Sequence, residues 1–295
     1  MGRLAYVRFA AARAVFDRVD AALGMAISAA CFEGPAELLQ ETRWQQPAVF
    51  ACSVALYEAW REGVDDTIVC AAGHSLGEFG ALVAAGALEL EEAARLVALR
   101  GSLMQEASDS LPGRMSAIIG LDRETVATIC HEASRPDEGL AEIVVLANDN
   151  APEQQVISGG LPALERATVA ARARGARRVI PLKVAGAFHS PLIESAVERL
   201  AEALDRAPLA RCAFPVIANS TCELLSEPAA VRAELIRQVT SPVRWVESVQ
   251  VAATFTPEIW IDTGPGNVAA GLAGRTLPGI ETQTLSALID TEAPS

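Results

Sequence analysis

Residues 67–80 read Thr67-Ile68-Val69-Cys70-Ala71-Ala72-Gly73-His74-Ser75-Leu76-Gly77-Glu78-Phe79-Gly80. The apolar run from Ile68 to Ala72 is strand-like. It breaks at Gly73, presents His74 and Ser75, and breaks again at Gly77, and a helix-compatible stretch from Ala81 to Leu88 follows. Gly-X-Ser-X-Gly between a strand and a helix is the setting of a nucleophile elbow. The serine must sit on a cramped turn where neighbouring side chains would clash, so both Gly73 and Gly77 are expected to be needed there. The first turn of the helix then directs unpaired N–H groups at negative charge developing beside the serine.

The bulk of the chain agrees with a globular α/β protein. Its 295 residues suffice for one large domain, or one domain carrying an insertion. Half of them (51%) are hydrophobic, and mean hydropathy is +0.26. No run of 18 uninterrupted apolar residues suggests a membrane span. The N-terminus lacks the apolar stretch and cleavage signal of a secretory leader. The six cysteines, Cys31, Cys52, Cys70, Cys130, Cys212 and Cys222, have no metal-like pairing, and several lie in apolar runs where a thiol acts as a small hydrophobe. A cytoplasmic protein without a bound metal is the expectation. A net charge of −13 and a pI near 4.8 argue against nucleic acid as the main partner. The basic cluster Arg172, Arg174, Arg177, Arg178 and Lys183 reads as a solvated helix face, with a docking patch for an acidic partner as the alternative.

Along the chain, residues 1–23 read as one helix, 36–40 as a short helical piece, and 48–60 as a buried helix ahead of the elbow. Glu89 to Ala107 is a helix with acids in its first turn and arginines further along, the order its dipole favours. Between Pro112-Gly113 and Leu182 the pattern is strand (114–120), helix (122–133), strands (143–147 and 155–158), helix (161–175) and strand (178–182). That β-α-β-β-α-β order is ferredoxin-like. The expected organisation is therefore a large domain over residues 1–111 and 183–295, with residues 112–182 as an inserted ferredoxin-like subdomain. Beyond it come helices over 190–204, 228–239 and 243–253, strands over 216–218 and 258–262, a Gly264-Pro265-Gly266 turn into a helix, and a tail over the last dozen residues.

Serine is a weak nucleophile and needs a base within hydrogen-bond reach. His74 is too close to Ser75 along the turn, and reads as a residue that lines the pocket or braces the elbow. His131 ends a helix and reads as a surface residue at a favourable cationic position. His189, in Gly186-Ala187-Phe188-His189-Ser190-Pro191, enters a helix between large-domain elements and is the better candidate base.

Gly73-His74-Ser75-Leu76-Gly77-Glu78 followed by Ala81-Leu82-Val83-Ala84-Ala85-Gly86 resembles the active-site segment of malonyl-CoA:acyl carrier protein transacylases, and the related acyltransferase domains of fatty-acid and polyketide synthases. The likeness continues in order through Gln46-Pro47 and Ser53 to Tyr57, then Arg100-Gly101 with Met104-Gln105-Glu106. It goes on through Met115 to Gly120, Asn148 to Gly159, Ala187-Phe188-His189-Ser190, Gln238 with Pro242-Val243-Arg244-Trp245, and Gly264-Pro265-Gly266. The resemblance implies an α/β-hydrolase-like large domain with a parallel sheet. It implies an [acyl-carrier-protein] S-malonyltransferase, with malonyl-CoA as substrate, an acyl carrier protein as partner and no bound cofactor. It further implies that Ser75 is acylated, that His189 is its general base, and that the Gln238 backbone carbonyl orients His189. The Leu76 N–H would be an oxyanion donor, and Arg100 would hold the free malonyl carboxylate, a task its planar fork suits. His74, Met104, Phe188, Asn148 and Asn150 match pocket positions, and the Phe188 ring resembles that of malonyl-selective members.

One departure stands out. Members of that family open with a strand and a Phe-Pro-Gly-Gln-Gly-Ser-Gln-like loop whose first glutamine supplies the other oxyanion donor, and Met1-Gly2-Arg3 aligns just after it. Loss of one donor costs on the order of 10²–10³ in rate, and loss of a strand leaves its neighbours unpaired. A start codon assigned too late is the expectation, with an inactive truncated paralogue as the alternative. The other rivals are a discrete trans-acting acyltransferase serving a polyketide synthase and a serine hydrolase of esterase or thioesterase type. The last would have no use for a buried Arg100.

Overall fold

The computed structural model describes residues 1–184 and 186–287. Helices build most of the large unit. Arg3–Arg8 and Ala10–Leu23 are separate helices, because Phe9 between them is extended (φ −117°, ψ 127°); this corrects the single helix expected over 1–23. The rings of Tyr6, Phe16 and Phe32 meet there with centroids 5.0 to 6.0 Å apart. Only Leu38–Gln40 of the next expected piece is helical, as a 3-10 turn.

The buried helix runs over Thr42–Arg61 and begins ahead of Pro47 rather than after it. Ala48, Ala51, Cys52, Ala55 and Ala59 are all buried beside Phe50, Val54 and Leu56, so small and large side chains share a buried surface that covers much of its circumference. Leu90–Ser110 packs closely against it. At Gly101 an added Cβ would stand 2.8 Å from the Thr42 carbonyl oxygen, so this crossing requires glycine. The close approach brings Gln46 of the first helix against Arg100 and Met104 of the second.

In chain order the strands are β1 (Ala71–Ala72), β2 (Gly113–Ile119), β3 (Val144–Ala151), β4 (Gln154–Gly160), β5 (Arg178–Pro181), β6 (Val216–Ile217), β7 (Leu224–Leu225), β8 (Trp260–Asp262) and β9 (Thr282–Thr284). They form three sheets, ordered β1-β6-β7, β3-β4-β2-β5 and β8-β9. β1 runs parallel to β6, and β8 parallel to β9, so the parallel part of the large unit falls in two short pieces. Of the strand expected over 68–72, only Ala71 and Ala72 are laddered, and the other edge of β1 carries no strand among the described residues. The tail expected over the last dozen residues is corrected only at its start, where Thr284, the last residue of β9, pairs with Asp262 of β8. Residues 288–295 of that tail lie outside the described residues.

The four-stranded sheet is antiparallel throughout, and its order β3-β4-β2-β5 is that of a ferredoxin-like β-α-β-β-α-β unit. Helices Arg123–Ala133 and Leu161–Ala173 bury Val126, Ile129, Ala163 and Leu164 against Ile118, Val144 and Ile157. The first is capped by Asp122, whose Oδ1 accepts the Thr125 N–H at 2.7 Å. The second core of this sheet is Met115, Ala117, Ala147 and Val156, with Phe188 packed on it. Phe188 also packs on the large core, so it lies where the two meet. The sheet is fastened below this point by a two-way backbone bridge. Val243 N–H donates to the Ala147 carbonyl and Asp149 N–H to the Val243 carbonyl, each at 2.9 Å. Val243 is therefore in extended pairing, and the helix expected from 243 begins at Trp245. The expected 190–204 helix opens as a 3-10 turn over Pro191–Ala196 before Val197–Arg206.

The six cysteines are free, four of them buried, as small hydrophobes would be. His131 is exposed in the last turn of its helix. Within the basic cluster, Arg174 pairs with Glu132 at 2.5 Å and Arg177 with Glu153 at 2.6 Å, both on the surface. Among the described residues no helix is long and apolar enough to cross a membrane.

The turn after β1 separates the two glycines expected to matter. A Cβ at Gly73 would stand 2.0 Å from the backbone carbonyl group of Gly77, whereas one at Gly77 would meet nothing within 4 Å. Gly73 alone is sterically required. Urea unfolding should show Gly73→Ala destabilised by roughly 1–3 kcal/mol through overpacking. Gly77→Ala should stay within about 0.5 kcal/mol of the parent. Equal effects at both positions would contradict this account of the elbow.

Candidate active site

Ser75 sits between β1 and the helix Gly77–Ala84 with φ 51°, a left-handed backbone that few non-glycine residues adopt. Asn219, just past the end of β6, holds that turn from both sides. Its Oδ1 accepts the Ser75 N–H at 2.7 Å and its Nδ2 donates to the Gly73 carbonyl at 2.7 Å. Its own N–H donates to Glu78 Oε1 at 3.1 Å, and its carbonyl accepts from Arg244 N–H at 2.9 Å. Every polar group of Asn219 is thus used, in a residue that is 1% exposed. A strained turn persists only where its surroundings over-determine it.

The loop before Pro191–Ala196 brings His189 to Ser75, itself with φ 55°. Ser75 Oγ lies 2.8 Å from His189 Nε2. His189 Nδ1 faces two carbonyl oxygens, Gln238 at 2.9 Å and Ser241 at 3.1 Å. Both can only accept, so Nδ1 carries the proton and Nε2 is left to accept from the serine hydroxyl. The imidazole is oriented by neutral groups, with no carboxylate among its partners. Burial first, and then the charge of Arg100, push its pKa down to about 3, so it stays neutral and able to accept a proton, though as a weaker base than a free imidazole.

Arg100 reaches the same place from the Leu90–Ser110 helix and is 2% exposed. Its Nη1 donates to Gln46 Oε1 at 2.7 Å. Its Nη2 donates to Gln238 Oε1 at 3.0 Å and to Ser75 Oγ at 3.1 Å. All three acceptors are neutral, and Nε–H is buried with no partner among the described residues. Burial draws the guanidinium down to about 10, against the opposing charge of Glu78. That still leaves it cationic at neutral pH.

The turn bonds of the elbow run from Gly77 N–H to His74 O, Glu78 N–H to Ser75 O and Phe79 N–H to Leu76 O. None starts at Leu76 N–H, which remains a free donor beside Ser75 among the described residues. His74 points to the other side of the turn. Its Nε2 is 2.7 Å from Asn150 Oδ1 and its ring 5.4 Å from that of Trp245, and burial lowers its pKa. Asn148 is buried at the irregularity of β3 opposite Val243. Met104 lies one turn beyond Arg100 and its sulfur accepts from Gln46 Nε2 at 3.3 Å, steadying the glutamine that holds Arg100. Ser75, His189, Gln238, Leu76 and Arg100 therefore converge. Phe188 flanks them, and His74 with Asn150 forms a separate pair.

Sequence reasoning assigned no role to Asn219, Glu78, Gln46 or Ser241. The signal for Asn219 is its place just after the carboxyl end of a parallel strand, where α/β sheets put their working residues. Among the described residues no cluster of His, Cys, Asp or Glu could hold a metal ion.

The model of the acyl transferase domain family matches residues 1–285. The malonyl CoA-acyl carrier protein transacylase of Bacillus subtilis strain 168 is 39% identical over 287 residues, which cover 97% of this chain and 89% of that protein. The Escherichia coli K12 protein of the same name is 40% identical over 278 residues, covering 94% and 87%. Among solved structures, the Coxiella burnetii malonyl CoA-acyl carrier protein transacylase superposes with a TM-score of 0.92 at 35% identity, covering 99% of this chain and 92% of that one. A malonyl-transacylase in complex with a type II polyketide synthase acyl-carrier protein superposes with a TM-score of 0.89 at 36% identity, covering 97% and 91%. With a family model spanning nearly the whole sequence, and an oriented serine–histidine pair at its centre, the chain belongs to the acyl transferase domain family.

Proposed function

We propose that this chain is a malonyl-CoA:acyl carrier protein transacylase, which moves malonyl from coenzyme A to the phosphopantetheine thiol of an acyl carrier protein through an ester on Ser75. The observation that carries this reading is Arg100. A buried cation beside the nucleophile, held among the described residues only by neutral acceptors and with one N–H unpaired there, is suited to an acyl group bearing its own carboxylate. The names of the relatives, and the neighbour solved with its carrier protein, support the same assignment. Residues 1–111 and 183–295 form the large catalytic domain in this reading, and 112–182 the inserted subdomain. The cytoplasm is its location, and no bound cofactor enters.

In the first half-reaction Ser75 Oγ attacks the thioester carbonyl while His189 Nε2 takes its proton. The oxyanion of the tetrahedral intermediate faces Leu76 N–H. Collapse breaks the C–S bond, and the imidazolium returns the proton to the leaving coenzyme A sulfur. In the second half the carrier thiol attacks the serine ester, giving its proton to His189, which passes it to Ser75 Oγ as the thioester forms. Gln238 and Ser241 carbonyls keep the imidazole in one tautomer throughout, and stabilise its cation less than a carboxylate would. The charge of Arg100 depresses His189. Pairing of that charge with the malonyl carboxylate therefore raises the basicity of His189 when the right substrate is bound. Phe188, with His74, Met104, Asn148 and Asn150 further out, completes the pocket in this reading.

Intact-mass measurement after mixing with malonyl-CoA should show one malonyl adduct on the parent chain and none on Ser75→Ala; no adduct on the parent sinks the transacylase reading. Arg100→Ala should lose about 10²-fold or more in acylation by malonyl-CoA, the scale of truncating a buried hydrogen-bonded charge. Acetyl-CoA should be affected far less, and a parallel fall would favour a structural role or a simple hydrolase. Because His189 is held far below its ordinary 6.5, its base form persists on acidification. The kcat/KM of acylation, which reports the free enzyme, should hold level from about pH 7 to about pH 5, and an inflection near 6.5 would contradict the site electrostatics.

A further inference from the structure

Glu78 ends the Gly73-to-Glu78 segment and takes no part in the transfer steps above, yet its side chain is fully buried. Each oxygen accepts one N–H: Oε1 from the Asn219 backbone at 3.1 Å, and Oε2 from Gln238 Nε2 at 2.7 Å. The Gln238 amide reaches on to Arg100, its Oε1 accepting from Nη2 at 3.0 Å. One neutral amide thus stands between the Glu78 carboxyl group and a guanidinium, its NH₂ toward the first and its carbonyl toward the second. Turned over, it would set NH₂ against the guanidinium and oxygen against both the oxygen of Glu78 and the Ser75 carbonyl, to which Nε2 also donates at 3.2 Å. Glu78, the closer of these two acceptors, therefore helps to fix which way Gln238 faces. The backbone carbonyl of the same residue holds His189 and is independent of that choice.

We propose that Glu78 is a positioning residue for acyl selectivity: acting through the Gln238 amide, it holds Arg100 in the orientation that receives the carboxylate of the acyl group. This rests on the transacylase reading and deepens it. Burial, and the nearby Glu234, push Glu78 up to about 8, so the neutral acid predominates at neutral pH and the bond from Gln238 Nε2 rests on a carboxyl oxygen that accepts in either state. An apolar side chain would fill the same space at lower cost. The two oxygens also have separable consequences. The bond to Asn219 supports the elbow and serves every acyl donor alike. The bond to Gln238 reaches the cation, which an acyl group without a carboxylate does not use, although Gln238 Nε2 also donates to the Ser75 carbonyl at 3.2 Å.

The test compares acylation of the full chain by malonyl-CoA and by acetyl-CoA in the parent, in Glu78→Gln and in Gln238→Ala, with thermal unfolding as a check on folding. Glu78→Gln puts a second NH₂ against that of Gln238 and turns the bridge over. The malonyl-to-acetyl ratio of kcat/KM should fall roughly 10–100-fold, the size of one lost hydrogen bond to a charged group. Gln238→Ala deletes the bridge, retains the carbonyl on His189, and should lower the ratio by the same order. If Glu78→Gln does not fold, Gln238→Ala decides. A ratio that stays at the parent value, or rates that fall in parallel for both donors, overturns the proposal and leaves Glu78 as elbow scaffold. A parent chain that takes no malonyl sinks the transacylase reading and this inference with it, an outcome distinct from an unmoved ratio in a chain that does take it.

Discussion

A guanidinium buried beside a serine hydroxyl, with only amide and hydroxyl oxygens around it, is the constraint that the rest of this structure serves. Removing a charge from water costs several kcal/mol even after relaxation. The protein offsets that cost with Gln46, Gln238 and Ser75 rather than with an adjacent carboxylate. A contacting carboxylate would hold the cation more tightly and would also occupy the place an acyl carboxylate needs. The neutral cage leaves the charge available. The close helix crossing at Gly101, the sulfur of Met104 on Gln46 and the backbone under Gln238 all serve to keep that cage in register.

The second constraint is the backbone of Ser75. Its left-handed conformation aims Oγ at both His189 and Arg100, and Asn219 supplies the bonds that a regular strand or helix would otherwise provide. β1 and β6 are short, so the ladder alone contributes little at this point. Much of the precision comes instead from side-chain-to-backbone bonds that reach across the chain. That division of labour suits an elbow whose conformation must be held while its hydroxyl and its N–H groups stay free for chemistry.

The elbow, the helix of Arg100 and the β-α-β-β-α-β unit were legible in the sequence, because each announces itself through local pattern: glycine around serine, acids and arginines in helical order, alternating short apolar runs. Ser75, His189, Gln238, Leu76 and Arg100 were legible as a set through several motifs in register. The structure brings these five together. What escaped was cooperative. Ser241 has no special local context, Gln46 stood in a motif that gave it no role, and Asn219 had only its place after a strand; their importance comes from what they meet at long sequence separation. Element ends also shifted where a tertiary partner decided them, as when Val243 left its expected helix to pair with Ala147 and Asp149. The requirement for Gly77 was overcalled because the sequence shows two glycines but not which one is crowded.

The stretch from Gln238 to Arg244 carries the two carbonyls that orient His189, the bridge to the antiparallel sheet at Val243, and the N–H of Arg244 that holds the Asn219 carbonyl. Three distant anchorages are spaced along one short length of backbone. Such a segment behaves as a ruler. Side chains along it can vary while their peptide groups keep station, but a residue gained or lost would put one anchorage out of step with the others. Family members that drift in sequence here should therefore keep its length, and variation in length should collect in surface connections such as that between the helix Arg123–Ala133 and β3.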